Sequence, residues 1–395
     1  MNELRAWTNR NLTGDPVIWI IVFCLSFVSI LTVYSATGTL AYQRDRQVEQ
    51  YLINHTLLLG FSLFCMWLAH RVDFKYYSRL SRIALLVSVP LLLYAFFFGT
   101  EINEARRWIE IPLINKTFQP SDLAKLALIT NLASMLSKRQ QNIKDAELIV
   151  PVLIWIGVIC GLIALSDFSS SALLFATCGL LMLIGRVPVK YLAILTLVGL
   201  LSGTAAMAYG SRWETIKSRV ERYTNGDSEV SFQAKQGYIA ISSGGVAGKG
   251  PGNSDQRNFL PLSFSDYIYA IIIEEYGLLG GTAVLFLYLA LLYSGVRAAA
   301  RIYSAEQIKS DKIQNFGSLL SAGLSFAIVL QAFANMGVVV GLLPETGLPL
   351  PMISMGGTSL LFTGFALGII LSVSRGVSSD KSVKVKKEKA KLTYA

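Results

Sequence analysis

Ten stretches of mostly apolar residues fill this chain, at approximately 17–36, 51–69, 82–99, 122–137, 147–166, 170–186, 190–209, 267–296, 315–342 and 356–374. Most are near the ~20 residues a helix needs to cross a hydrocarbon core of roughly 30 Å. No water reaches that core, so a spanning segment must satisfy its own backbone, and the pattern restricts the chain to a bundle of membrane helices. Composition agrees. Hydrophobic residues make up 53% of the 395 and charged residues only 15%, too little charge for a soluble domain of this size. The fourth and sixth runs are short, as tilted or partly interfacial helices are. The opening "MNELRAWTNRNLTGDP" is polar and is followed by a full-length apolar run, unlike a cleaved signal peptide.

Basic residues give the orientation. Arg5 and Arg10 precede the first run; alternate loops carry Arg71, Lys75, Arg79 and Arg82, then Lys138, Arg139 and Lys144, then Arg186 and Lys190, then Arg297, Arg301, Lys309 and Lys312. The tail "KSVKVKKEKAK" is the densest cluster. These loops and both termini are expected in the cytoplasm. The net charge of +10 is then a topology signal and does not indicate nucleic-acid binding. The expected organisation is a cytoplasmic N-terminus at 1–16, a polytopic membrane domain at 17–376, and a basic cytoplasmic tail at 377–395. Cys24, Cys65, Cys160 and Cys178 lie inside apolar runs and are expected to be free thiols. His55 and His70 have no Cys or carboxylate at ligand spacing, so His-based metal sites are not expected.

Polarity concentrates on the opposite, extracytoplasmic side. In "EARRWIEIPLINKTFQPSDLAKLALI" (104–129), Arg106, Arg107 and Trp108 suit the headgroup layer, and "QPSDLAK" reads as a helix start. Asp122 and Lys125, three apart, share a helix face and can pair. Two readings stand side by side: an interfacial ion pair, or a cavity in which Lys125 and the arginines hold an anionic headgroup. A long loop near 210–265 contains "GGVAGKGPG", which fails as a phosphate loop because Ser243 and Gly250 occupy positions that need Gly and Ser or Thr. Its glycines are expected to allow tight turns and close backbone approach to a ligand. Pro344, Pro349 and Pro351 followed by Gly356-Gly357 interrupt any helix over 342–362, so that segment is expected to re-enter the bilayer edge and wall a site that includes Ser354. Asp167 sits in a very short link between two runs, as a helix cap or a site residue. Asp266 stands in front of the eighth run, with Glu274 and Glu275 inside it.

"ARRWI", "QPSDLAK", "SDFSSSA", "SSGGVAGKGPGNSDQR", "LPLSFSDYIYAIIIEEYG" and "TGLPLPMISMGGTSL", in this order, resemble the shape, elongation, division and sporulation (SEDS) family of the FtsW/RodA type. The resemblance covers about residues 15 to 376, and "GNSDQR" leans to its division branch. It implies ten membrane helices in the bacterial cytoplasmic membrane at the division site. It also implies a glycosyltransferase that polymerises lipid II, the lipid-linked disaccharide-pentapeptide, into glycan strands. The implied partners are a class B penicillin-binding protein transpeptidase and other membrane proteins of the division complex. The family's catalytic aspartate falls on Asp266. The chain departs from the family pattern at Glu104, at Asp122 (a shorter acid), at Ser169-Ser170 and at Met355, where a Tyr is common.

Joining an α-linked lipid diphosphate into a β-linked glycan inverts the sugar carbon. It needs a base for the incoming hydroxyl and positive charge for the departing diphosphate. Asp266 is the expected base. Arg107, Lys125 and Lys249 are the candidates for the diphosphate, with a divalent cation, Mg²⁺ or Mn²⁺, also open. Glu274 roughly shares the face of Asp266 and Glu275 points away, since eight residues turn a helix by about 80° past two turns. Both glutamates are read as structural contacts, Glu274 with a secondary part in tuning the aspartate. An elongation-branch polymerase, a lipid flippase and a non-enzymatic scaffold are the alternatives. A flippase predicts inverted repeats, and none is visible; a scaffold predicts that Asp266 is dispensable.

Overall fold

The computed structural model describes residues 11–38, 48–102, 105–111, 116–140, 143, 145–209, 231–260, 264–306 and 312–393. Arg5, Arg10, Glu104, Lys144, Lys309 and the stretches 210–230 and 261–263 of the long loop lie outside the described residues, as do the side chains of the 377–395 tail. Each of the ten apolar runs lies on a helix. These are α1 (Pro16–Ala36), α2 (Val48–Arg71), α3 (Tyr77–Phe98), α4 (Pro120–Arg139), α5 (Ala146–Ala164), α6 (Phe168–Ile184), α7 (Val189–Tyr209), α9 (Ile268–Glu306), α10 (Lys312–Val339) and α11 (Gly357–Thr393). Among the described residues, six spans are long and apolar enough to cross a membrane by length and composition, those of α1, α2, α3, α9, α10 and α11. Helices α5, α6 and α7 supply shorter apolar segments.

Local chemistry sets the helix starts. Asp15 caps α1 by accepting the Val17 N–H at 3.0 Å, and Pro16 fills the first position, where its missing N–H costs nothing. Such a cap contributes about 1 kcal/mol. Asp167 caps α6 in the same way through the Ser170 N–H at 3.1 Å. Between helices, small residues and serines replace the hydrophobic effect, which does not drive helix association inside a membrane. A methyl on Gly364 of α11 would stand 2.6 Å from the Ser62 carbonyl of α2, and one on Gly368 would stand 2.4 Å from that of Met66. The two helices therefore touch backbone to backbone, and the Ser62 hydroxyl donates to the Leu360 carbonyl at 2.7 Å.

Helix α4 departs from expectation. It was read as short and tilted or partly interfacial, but it is buried on nearly every face and packs against α3, α6, α10 and α11. Its polar residues Thr130, Asn131, Ser134 and Ser137 are buried with its apolar ones. A helix enclosed by other helices does not need an apolar surface for lipid, which is why its run reads as weak.

Two further elements interrupt the stretches read as loops. Between α3 and α4 lies an antiparallel sheet of order β1-β2-β3, made of β1 (Thr100–Ile102), β2 (Ala105–Ile111) and β3 (Lys116–Phe118). Within 210–265, residues Phe232–Gly244 form helix α8, capped by the Ser231 hydroxyl, which accepts the Ala234 N–H at 3.2 Å.

Candidate functional site

Asp266 lies in the turn two residues ahead of α9, half-buried. The three carbonyls of that turn are each held. The Met355 N–H donates to Phe264 at 2.9 Å, the Ser354 hydroxyl to Ser265 at 2.7 Å, and Asn335 Nδ2 to Asp266 at 2.7 Å. The carboxylate itself accepts the Ser265 hydroxyl at 2.9 Å. Its other oxygen faces Gly347, where a methyl would come within 3.4 Å of Oδ2. Asp266 is thus set by bonds to its main chain.

Residues 340–356 run without helix between α10 and α11. Non-helical backbone at this depth needs partners, and neighbouring side chains supply them. Asn335 donates to the Leu348 carbonyl at 2.7 Å, Gln331 to Pro349 at 3.0 Å, and Ser29 to Ile353 at 2.8 Å. Tyr288 donates to the Pro351 carbonyl, and the Leu350 N–H donates to Ser354 Oγ at 2.7 Å. Polar groups from α1, α9 and α10 therefore shape a segment whose prolines forbid a helix.

One wall of a cleft is built by this segment. Leu348 and Pro351 line it, together with Asp122, Lys125 and Ile129 of α4, Ser170 and Thr177 of α6, Gln331 of α10, and Ser359 and Thr363 of α11. The cleft encloses about 700 Å³ with its open mouth included. It is apolar along most of its length and polar at the end where α4 begins, the form expected of a site for a lipid with a charged head. A methyl on Gly347 would just reach Asp266, and the next residue is cleft wall.

Asp122 and Lys125 form an ion pair at 2.8 Å in the cleft wall. Asp122 is only 5% exposed, and its Oδ2 has no hydrogen-bond partner among the described residues. Removing either partner strands a charge at depth, which typically costs about 3–5 kcal/mol when the pair is buried. Asp122→Ala and Lys125→Ala are each expected to lower folded yield or activity, with the double variant losing less than the sum. Additive losses at normal abundance, measured as a double-mutant cycle, would show that the pair is uncoupled.

Arg107 and Asp167 also pair, at 2.9 Å, tying strand β2 to the cap of α6. Arg106, next along the strand, points to the other side and is exposed. Strand β3 runs into Gln119, whose N–H donates to Thr358 Oγ1 at 3.1 Å. The sheet is therefore anchored to the starts of α4, α6 and α11, beside the polar end of the cleft.

Lys249 and Ser354 have other engagements. Lys249 Nζ is 2.7 Å from Glu274 and 2.8 Å from Asp255. The hydrogen bonds that Lys249 donates to Asp255 and Glu274 hold its ammonium above its ordinary range, and Lys249 holds the Asp255 carboxyl below its own, so both stay charged at neutral pH. Ser354 is buried, and both of its bonds go to main chain, so it fixes the Asp266 turn.

Glu274, fully buried, also accepts the Ser254 hydroxyl and the N–H groups of Asp255 and Gln256 at 3.1 and 3.3 Å. Glu275 accepts the Ser35 hydroxyl of α1, which Arg257 also contacts at 3.1 Å. The two acids anchor the glycine-rich loop to a break in α9, where Gly277 has φ 68° and ψ −174°. Lys249 N–H donates to the Glu274 carbonyl at 2.9 Å, Gly250 N–H to Glu275 at 2.9 Å, and Leu278 N–H to Gly245 at 3.0 Å. The close approach that the glycines allow is to the backbone of α9; a ligand was the expectation. Gln331, Asn335 and Tyr288 were missed, although Gln331 and Asn335, four apart inside an apolar run, share a face that has to meet something polar.

The model of the FtsW, RodA and SpoVE family, described as cell cycle proteins, matches residues 15–379. A probable peptidoglycan glycosyltransferase FtsW of Geobacter metallireducens is 32% identical over 371 residues, 91% of this chain and 94% of its own. Stage V sporulation protein E of Bacillus subtilis is 30% identical over 376 residues, 93% of this chain and 99% of its own. Among solved structures, a chain of a peptidoglycan synthase complex that coordinates polymerization and crosslinking superposes with a TM-score of 0.70. It is 24% identical and covers 92% of this chain and 98% of its own. The rod shape determining protein RodA of Thermus thermophilus gives 0.65 at 23% identity, covering 92% and 97%. At those identities the superpositions establish a shared fold.

Proposed function

The chain belongs to the FtsW/RodA/SpoVE family of membrane proteins, and from that premise we propose that it polymerises lipid II into glycan strands, as a peptidoglycan glycosyltransferase of the FtsW type. The work is done at the outer face of the bacterial cytoplasmic membrane during division. A class B penicillin-binding protein is the partner that crosslinks the product, within a larger set of division-complex membrane proteins.

The incoming sugar hydroxyl gives its proton to the Asp266 carboxylate as its oxygen attacks the anomeric carbon of the donor. The bond from that carbon to the lipid diphosphate breaks, the configuration inverts, and the diphosphate leaves with the electron pair. The observation that carries this reading is a juxtaposition. The segment that passes Asp266 at Gly347, with room for only a methyl between them, continues as the wall of a lipid-shaped cleft, and Lys125 is the basic side chain lining that cleft among the described residues. Arg107 and Lys249 lie outside the cleft lining, whereas Lys125 is part of it, so Lys125 is the preferred partner for the diphosphate.

The test is purified protein in liposomes with lipid II, alone and with its transpeptidase. Polymer is expected on a gel of glycan products. Lipid II left unchanged in both mixtures, with the protein folded, would contradict the assignment.

A further inference from the structure

Asn335 sits at 2% exposure on α10, one turn beyond the cleft-lining Gln331 and on the same face of the helix. Its amide nitrogen lies 2.7 Å from both the Asp266 and Leu348 carbonyls. Carbonyls only accept, so the NH₂ must face both of them, and the orientation of the amide follows from its surroundings. Both of its protons are then used. Its oxygen, Oδ1, is turned away from those carbonyls and has no donor among the described residues. A buried amide oxygen is costly to leave unpaired, so a further donor is expected there.

We propose that Asn335 positions Asp266 and that its Oδ1 accepts a hydrogen bond from a hydroxyl or amide N–H of the bound saccharide. The inference rests on the glycosyl-transfer reading above and deepens it. Asn335 joins the carbonyl of the proposed base to that of a cleft-wall residue. A saccharide with its attacking hydroxyl at Asp266 carries further hydroxyl and acetamido N–H groups close to that position. One of these meets Oδ1. A site built to accept such a donor discriminates strongly against an analogue that lacks it.

The experiment compares wild type with Asn335→Ala on lipid II and on a set of saccharide analogues, each lacking one hydroxyl or carrying an N-methylated amide. Asn335→Ala is expected to lower kcat about tenfold, the scale of one lost hydrogen bond, with lipid II binding retained. One analogue is expected to lose about tenfold in kcat/KM on wild type and to show almost no further loss on Asn335→Ala. If the alanine variant does not fold, Asn335→Ser, which keeps a single donor, is measured in the same way. An unchanged kcat overturns the positioning role. Equal relative losses for every analogue on both enzymes mean that Oδ1 meets only water, and overturn the contact. A wild-type protein that makes no polymer would refute the glycosyl-transfer reading instead, so the two failures are separable.

Discussion

Asp266→Asn is expected to lower glycan synthesis by about 10²-fold or more, the scale of a lost general base, while the protein still folds, inserts and binds its partner. The reason lies in how the turn is held. Met355, Ser354 and Asn335 bond the carbonyls of residues 264, 265 and 266, and none of them bonds the carboxylate. Asparagine keeps those bonds and can still accept from the Ser265 hydroxyl through its own oxygen. It cannot take a proton. Asp266→Glu should keep a trace of activity, because the carboxylate survives but is displaced by a methylene, on a side where Gly347 leaves room for about one methyl. Polymerisation rates at matched protein levels check both variants. A near wild-type rate for the asparagine variant would return the scaffold and flippase readings to consideration.

The second large effect concerns the fold beneath the site. Gly277→Ala is expected to destabilise the protein by roughly 3 kcal/mol or more, through a backbone region open almost only to glycine and a direct overlap. A methyl there would stand 2.1 Å from the Val246 carbonyl, and one on Gly248 would stand 2.2 Å from the Glu275 carbonyl. Backbone cannot yield as a side chain does, so the loop and the break in α9 would separate. The bonds from Lys249, Gly250 and Leu278 would be lost with them. Gly161→Ala, in α5 with open space around it, is the control and is expected to be neutral or slightly stabilising. Thermal unfolding in detergent separates the two. Equal midpoints would mean that the loop does not depend on this contact.

The helical membrane fold was legible because spanning a membrane imposes a length and a polarity that composition displays directly. Asp122 and Lys125 were legible because three residues on a helix is a contact distance. The sheet between α3 and α4 was not. Its outer strands are three residues each, and "ARRWIEI" could equally be read as an interfacial stretch. The partners of Lys249 and Ser354 were hidden for another reason. Their bonds span 25 residues to Glu274 and 89 to Ser265, and nothing local marks a contact at that separation. The glycine-rich loop was read correctly as a place of close approach, but what approaches it is main chain from an element that starts after it. That could be known only once α9 was seen to break at Gly277.

Under the proposed function, one cleft holds the lipid-linked donor while Asp266 faces the acceptor. The most direct measurement is a structure of Asp266→Asn with lipid II bound, since this variant should bind without turning over. The lipid chain is expected along the α4, α6, α10 and α11 cleft, with the diphosphate against Lys125 and a saccharide hydroxyl within about 2.6–3.2 Å of residue 266. Lipid II seated on another face of the bundle, with residue 266 out of reach of any sugar hydroxyl, would contradict it.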